Sequence, residues 1–222
     1  MATQEGGLEV ELAELLAQKI MAASDHWAGG PAVELVPVNA MNVTAKLTGG
    51  EIDAAISLMP RGAYASYAYS RAYYKDPVLF LTRVGEENIT IKYAKLGCLQ
   101  NASSSSLYVP SGAAFNVLSA YIEAHADDGL ALKDVMRYAS YEALFAGLMR
   151  AEVDAVVLPK LMADKYAQEY SFGVSPVAVG EINYAVACLS EASAIASIAD
   201  VMLADMERDG SLEAIKQTYG LN

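Results

Sequence analysis

A chain of 222 residues that is 54% hydrophobic has room for one large domain or two lobes of roughly 100 residues each. Its formal charge of −12 excludes a general nucleic-acid binder, which needs basic surface to displace counterions. No apolar run approaches the ~20 residues of a membrane span, and Ala2 to Gly7 is polar, so no signal peptide is visible at Met1.

From the N-terminus, Leu8, Leu12, Leu15, Leu16 and Ile20 share one helical face, with Glu9, Glu11, Glu14 and Gln18 mostly off it. The spacing predicts an amphipathic helix that starts near Gly6-Gly7. Ser24 to Pro31 reads as a loop and Val33 to Val38 as a strand.

Leu47-Thr-Gly-Gly-Glu-Ile-Asp53-Ala-Ala-Ile56 then recurs 101 positions on (53 to 154) as Leu148-Met-Arg-Ala-Glu-Val-Asp154-Ala-Val-Val157. Asn39 and Ser140, also 101 apart (39 to 140), are helix-capping types that accept a free N–H at a helix start. Gly49-Gly50 can take the positive φ of a helix C-cap. Ile52 to Ile56 and Val153 to Leu158 read as strands buried on both faces. Each copy is expected to form a strand–helix–strand unit with a right-handed crossover. Two such units predict two α/β lobes, with ligand bound beyond the carboxyl ends of the strands.

Met59-Pro-Arg61-Gly62 is a turn just beyond the first of those strands. Tyr64, Tyr67, Tyr69, Tyr73 and Tyr74 follow, expected to pack a sheet edge with hydroxyls in water. Tyr64, nearest the turn, is the alternative ligand-stacking candidate. Pro77 to Val84 reads as a strand, and Gly85 to Lys95 as the first crossing between lobes. After a strand at Leu96 to Gln100, Asn101-Ala102-Ser103-Ser104 offers hydroxyls and N–H groups to an anion, or is a plain polar loop. Phe115 to Ile122 reads as a helix. Pro159 ends the second copy. A helix at Leu161 to Tyr170 and strands at Phe172 to Val179 and Tyr184 to Leu189 follow, with a second crossing at Gly180 to Asn183. Helices at Ala192 to Arg208 and Leu212 to Tyr219 close the chain.

Cys98 and Cys188 lie on apolar runs in different halves and are expected as buried free thiols. Two histidines and no Cys/His cluster leave no zinc site; no metal and no cofactor is expected. There is no glycine-rich phosphate loop and no G-x-S-x-G elbow.

The order of elements and five short motifs resemble the type 2 periplasmic solute-binding proteins, above all the family 3 amino-acid-binding proteins of ABC importers. Gly7-Leu-Glu-Val-Glu-Leu12-Ala13 is similar to the family's G-F-D-V-D-L-A. Leu47 to Ile56 matches L-x-S-G-x-I-D-A-x-I, and Tyr69-Ser70-Arg-Ala-Tyr73-Tyr74 resembles F-S-x-P-Y-Y. Asp154-Ala-Val-Val matches the second D-A-V-V. Asp209-Gly210 to Ile215 with Tyr219-Gly220 is similar to the closing D-G-x-L-x-x-I…Y-G. The resemblance implies an α/β protein of two Rossmann-like lobes joined by a two-segment hinge, 1–85 with 183–222 and 86–182. It implies an extracytoplasmic, non-catalytic receptor that closes on a small molecule and works with an ABC permease or a fused membrane signalling module.

On that resemblance the ligand contacts are expected at Ser57, Met59, Arg61, Tyr64, Asn101, Ala102, Ser103, Ser104 and Pro159. The departures bear on the ligand. The family has a strand and an aromatic-rich turn before the opening helix, where only Met1 to Gly6 stand here. Arg61 falls earlier than the family's carboxylate-binding arginine, and Asn101-Ala102-Ser103 stands in place of G-T-T. Pro159 stands where the family has an acid for the ligand's ammonium; proline brings neither charge nor N–H. A carboxylated solute is therefore expected to bind and a plain amino acid to bind weakly. Two other classes remain: a degenerate scaffold for protein contacts, and a dehydratase-like enzyme. The latter would need Glu51, Asp53, Glu152 or Asp154 as acid or base, though these sit at the strand starts, away from the ligand end.

Overall fold

The computed structural model describes residues 7–23, 34–39, 42–99, 110–128 and 135–221. Within them the chain forms two compact α/β units, Met1–Tyr74 with Tyr184–Asn222 and Lys75–Asn183.

In the first unit α1 (Leu8–Ala23) buries Leu8, Leu12 and Leu16, as the periodicity requires, against α6 (Ser193–Asp209) and α7 (Ser211–Thr218). Lys19 reaches Asp205 and Asp209 on α6 at 2.7 and 2.6 Å. The first repeat holds α2 (Val43–Thr48). Asn39 and Asn42 bond reciprocally just before it: the Asn42 N–H donates to Asn39 Oδ1 at 3.1 Å, and the Asn39 N–H to Asn42 Oδ1 at 2.8 Å.

The strands expected around α2 are not formed. Residues 34–38 carry no strand, and Ile52 to Ile56 makes a single bridge, Ala55 to Ala187. Their backbone is not knitted into a ladder, and of Ile52 to Ile56 only Ala55 is buried.

The tyrosine stretch and the strand after it are one element, β1 (Tyr67–Thr82). It pairs with β6 (Gly180–Leu189). The division between units falls inside β1, and the return falls inside β6, where the sequence had placed loops at 85–95 and 180–183. From Val78 to Thr82 the strand is committed to β4 (Ala155–Pro159) and cannot serve the first unit.

The second unit is a mixed sheet in the order β3-β2-β4-β1-β5. Its strands are β2 (Leu96–Leu99), β3 (Val135–Tyr138), β4 (Ala155–Pro159) and the short β5 (Gly173–Val174). β2 runs parallel to β3 and β4, and β1 antiparallel to β4, with Val78 opposite Pro159 and Thr82 opposite Ala155. The second repeat is realised as read. Ser140 accepts the Ala143 N–H at 3.2 Å, α4 (Tyr141–Met149) follows, and β4 is buried along its whole length. Leu144, Phe145 and Leu148 pack with Val156, Leu158 and Ala163 in one core. Helices α3 (Pro110–Ala124) and α5 (Lys160–Tyr170) cover β4. Cys98 and Cys188 are free and buried, one in each unit.

Candidate ligand-binding site

The turn after Ala55 carries four of the expected contacts. Bridges from Ala55 to Ala187 and from Pro60 to Tyr184 fasten both its ends to β6. Between them Leu58 takes a positive φ of 46°, a conformation costly for a branched residue. What holds it there is a buried acid. Glu9 on α1 accepts the Leu58 N–H, and Tyr73 donates its hydroxyl to the same carboxylate oxygen at 3.2 Å. Glu9 is only 8% exposed. Burial raises its pKa, and the hydrogen bonds from Leu58 and Tyr73 pull it back. The sequence placed Glu9 off the buried face and Tyr73 with its hydroxyl in water; the structure places both inside.

Of the expected contacts, Ser57 is half-buried, and Arg61 is exposed. Tyr64 is half-buried with its ring 5.2 Å from that of Tyr67, and its N–H donates to the Tyr69 hydroxyl at 3.0 Å. Met59 is 0% exposed, and its carbonyl accepts the Ala185 N–H at 3.0 Å. Its side chain lies in the core. Pro159 belongs to the other unit, where it ends β4, is buried and precedes the first turn of α5. Asn101, Ala102, Ser103 and Ser104 lie outside the described residues.

The sequence reading missed Asp76. It sits in β1, is 0% exposed, and its Oδ1 accepts the Leu161 N–H at 3.3 Å at the start of α5. Its Oδ2 is buried with no hydrogen-bond partner among the described residues. Burial pushes its pKa up to about 7, against the lowering effect of the α5 N–H groups and of Lys160. The available signal was an acid in a strand otherwise rich in aromatic and aliphatic residues, where aspartate is depleted.

Three of the four carboxylates considered for catalysis are engaged elsewhere. Glu51 pairs with Lys46 at 2.9 Å and Glu152 with Arg150 at 2.8 Å. Asp154 accepts the Lys95 N–H at 2.8 Å. Arg83 donates to the Leu148 and Val153 carbonyls, each at 2.8 Å, and lies 3.6 Å from Asp154. These contacts fasten the corner between α4 and β4. Asp53 is exposed. Among the described residues no cluster of His, Cys, Asp or Glu could hold a metal ion.

The model of one protein family, bacterial extracellular solute-binding proteins, family 3, matches residues 2–222. Among solved structures the fold is similar to that of an ancestral arginine-binding protein bound to arginine, with a TM-score of 0.62 at 19% identity, over 99% of this chain and 92% of that one. It is similar to the GluR0 ligand-binding core in complex with L-glutamate, with a TM-score of 0.65 at 14% identity, over 98% and 90%. It is also similar to the ancestral amino-acid-binding protein AncCDT-1, a precursor of cyclohexadienyl dehydratase, with a TM-score of 0.60 at 15% identity, over 98% and 88%. No curated protein matches.

Proposed function

The chain belongs to the bacterial extracellular solute-binding proteins, family 3, and on that premise we propose that it binds a small amino-acid-like or carboxylated solute for uptake by an ABC importer. The match over residues 2–222 carries this reading. Arginine and L-glutamate as the ligands of two proteins of similar fold support the solute class. The turn from Ser57 to Tyr64 is the anion-binding segment. Its first half is held by the bridges of Ala55 and Pro60 to β6 and by Glu9 at Leu58, and its one cation, Arg61, follows directly and is exposed. A guanidinium gives a carboxylate two parallel, charge-assisted hydrogen bonds. Asn101 to Ser104 and Pro159 are the further contacts of this reading.

The reading is non-catalytic. Glu51, Glu152 and Asp154 are engaged in ion pairs and backbone contacts, and Asp53 is exposed, whereas an acid or base catalyst needs a sheltered, positioned group. A sensing role in a membrane signalling protein uses the same binding step. The permease or the signalling module is the partner that separates the two.

A thermal-shift screen of amino acids, dicarboxylates and amines tests the proposal. A ligand at 100 times its Kd stabilises by about 2.7 kcal/mol. Arg61→Ala is expected to abolish the shift from an acidic ligand while leaving the unliganded melting temperature unchanged. A screen in which nothing shifts the wild-type protein would instead favour a degenerate scaffold.

A further inference from the structure

We infer that Glu9 sets how tightly the solute is held without touching it, by fixing the backbone of the turn that carries Arg61. It is a positioning residue. The inference rests on the binding reading above and names what controls affinity at that same turn.

The first half of the turn is a short link between two anchors. Ala55 is bridged to Ala187 and Pro60 to Tyr184, and the Met59 carbonyl accepts the Ala185 N–H at 3.0 Å. Ile56, Ser57 and Leu58 span the gap between them. Leu58 does so at φ 46°, in the left-handed region that a residue with a Cβ enters only at a cost. Each residue has only two soft dihedrals, so three residues between fixed ends have few other solutions. A change of φ at Leu58 is therefore passed on to Pro60 and Arg61.

Three groups close a triangle on Leu58. Its N–H is shared between a Glu9 carboxylate oxygen and the Tyr73 hydroxyl, the latter at 3.1 Å. Tyr73 in turn donates to that same Glu9 oxygen at 3.2 Å. An ionised carboxylate only accepts, so it draws the single hydroxyl hydrogen of Tyr73 toward itself and leaves a lone pair for Leu58. A side chain at position 9 that accepts nothing removes that direction as well as its own hydrogen bond. Glu9 is 8% exposed and Tyr73 1% exposed, so little water can stand in for either.

The acid comes from the first turn of α1, a 16-residue helix whose N-terminal end favours negative charge and which packs on α6 and α7. Burying a carboxylate is costly even there. An aliphatic side chain would fill the same space without that cost; what it could not supply is the acceptor for Leu58. Once released, Leu58 relaxes toward an ordinary φ, and the turn leaves the form that presents Arg61. The left-handed cost for a residue with a Cβ corresponds to a population factor on the order of tenfold. Affinity falls with the fraction of molecules left in the competent form. Glycine bears no such cost, so in a chain with glycine at this position the need for Glu9 largely disappears.

Calorimetry with L-glutamate, L-arginine and glutarate compares wild type, Glu9→Gln and Glu9→Leu, and each Glu9 variant with Leu58→Gly added. The melting temperature of every unliganded protein is read alongside. Glu9→Gln keeps an acceptor oxygen and loses the charge, and is expected to weaken binding about threefold. Glu9→Leu is expected to weaken it on the order of tenfold. Adding Leu58→Gly to Glu9→Leu is expected to bring affinity back to within about threefold of wild type, although it restores no contact to the solute. A residue that only holds the fold together would lower the melting temperature and show no such rescue. Unchanged affinity in the Glu9 variants, or a loss that Leu58→Gly does not repair, overturns this inference and leaves the binding reading intact. Glu9→Gln preserves the shape of the side chain and carries both readouts if Glu9→Leu does not fold. No binding of any of the three compounds to wild type overturns the binding reading, and this inference with it.

Discussion

Two buried carboxylates show how one functional group can hold a fold together or strain it. Glu9 has donors from two directions, and its burial fixes the Leu58 turn. Asp76 has a donor on one oxygen only. Its pKa rises from 3.8 to about 7 on folding, so between those values the native state binds more protons than the unfolded chain. The sign is therefore fixed: stability without ligand falls as pH rises from about 4 to about 7, by up to about 1.4 kcal/mol per pH unit. Asp76→Asn keeps an acceptor for Leu161 and removes the charge. Denaturant unfolding of the variant is expected to lose most of this slope and to be more stable than wild type at pH 8. A variant with the wild-type slope would mean that Asp76 does not titrate in that window.

At the scale of elements the repeat is clearest in how its two helices end. In α2 the N–H groups of Gly49, Gly50 and Glu51 donate to Ala45, Leu47 and Lys46 at 2.8, 3.2 and 2.9 Å. In α4 those of Arg150, Ala151 and Glu152 donate to Ala146, Leu148 and Gly147 at 3.0, 3.1 and 3.0 Å, each 101 positions on. Gly50 has φ 69° and Ala151 φ 57°. The second copy thus places a Cβ where glycine is preferred. No atom would touch a Cβ at Gly50, so Gly50→Ala carries a pure backbone penalty of about 1 kcal/mol. Ala151→Gly is expected to stabilise by about 0.5 kcal/mol, the relief of strain exceeding the extra entropy of the unfolded glycine. Equilibrium unfolding measures both, and equal signs would show that the two ends are not equivalent. The second helix also depends on glycine sterically: a Cβ at Gly147 would lie 2.5 Å from the Tyr138 hydroxyl.

For the whole molecule the relevant fact is that the chain passes between its two units inside paired strands. Tyr74 is 7% exposed and Tyr184 1% exposed, whereas Tyr93, in the polar stretch after β1, is 79% exposed. Proteolysis requires an extended, accessible backbone, and strand pairing withholds it. Limited chymotrypsin digestion is therefore expected to cut after Tyr93 well before Tyr74 or Tyr184, as read by mass spectrometry of the fragments. Early cleavage at Tyr74 would place the weak point at the crossing.

The sequence by itself determined what depends on local pattern. Leu8, Leu12 and Leu16 specify α1 by spacing, Asn39 and Ser140 specify helix starts through short-range capping, and Asp209-Gly210 ends α6 with Gly210 at φ 82°. Those signals lie within a few residues of the structure they produce, and the family resemblance added their order. Only the tertiary structure decided what depends on partners distant in the chain. Ile52 to Ile56 and Val153 to Leu158 are alike in composition, yet one meets β6 at a single bridge and the other enters a sheet between β1 and β2. Asp76 and Glu9 read as ordinary exposed acids until the elements over them are in place. A strand's ladder and a carboxylate's desolvation are set by whatever packs across them, and no local period encodes that.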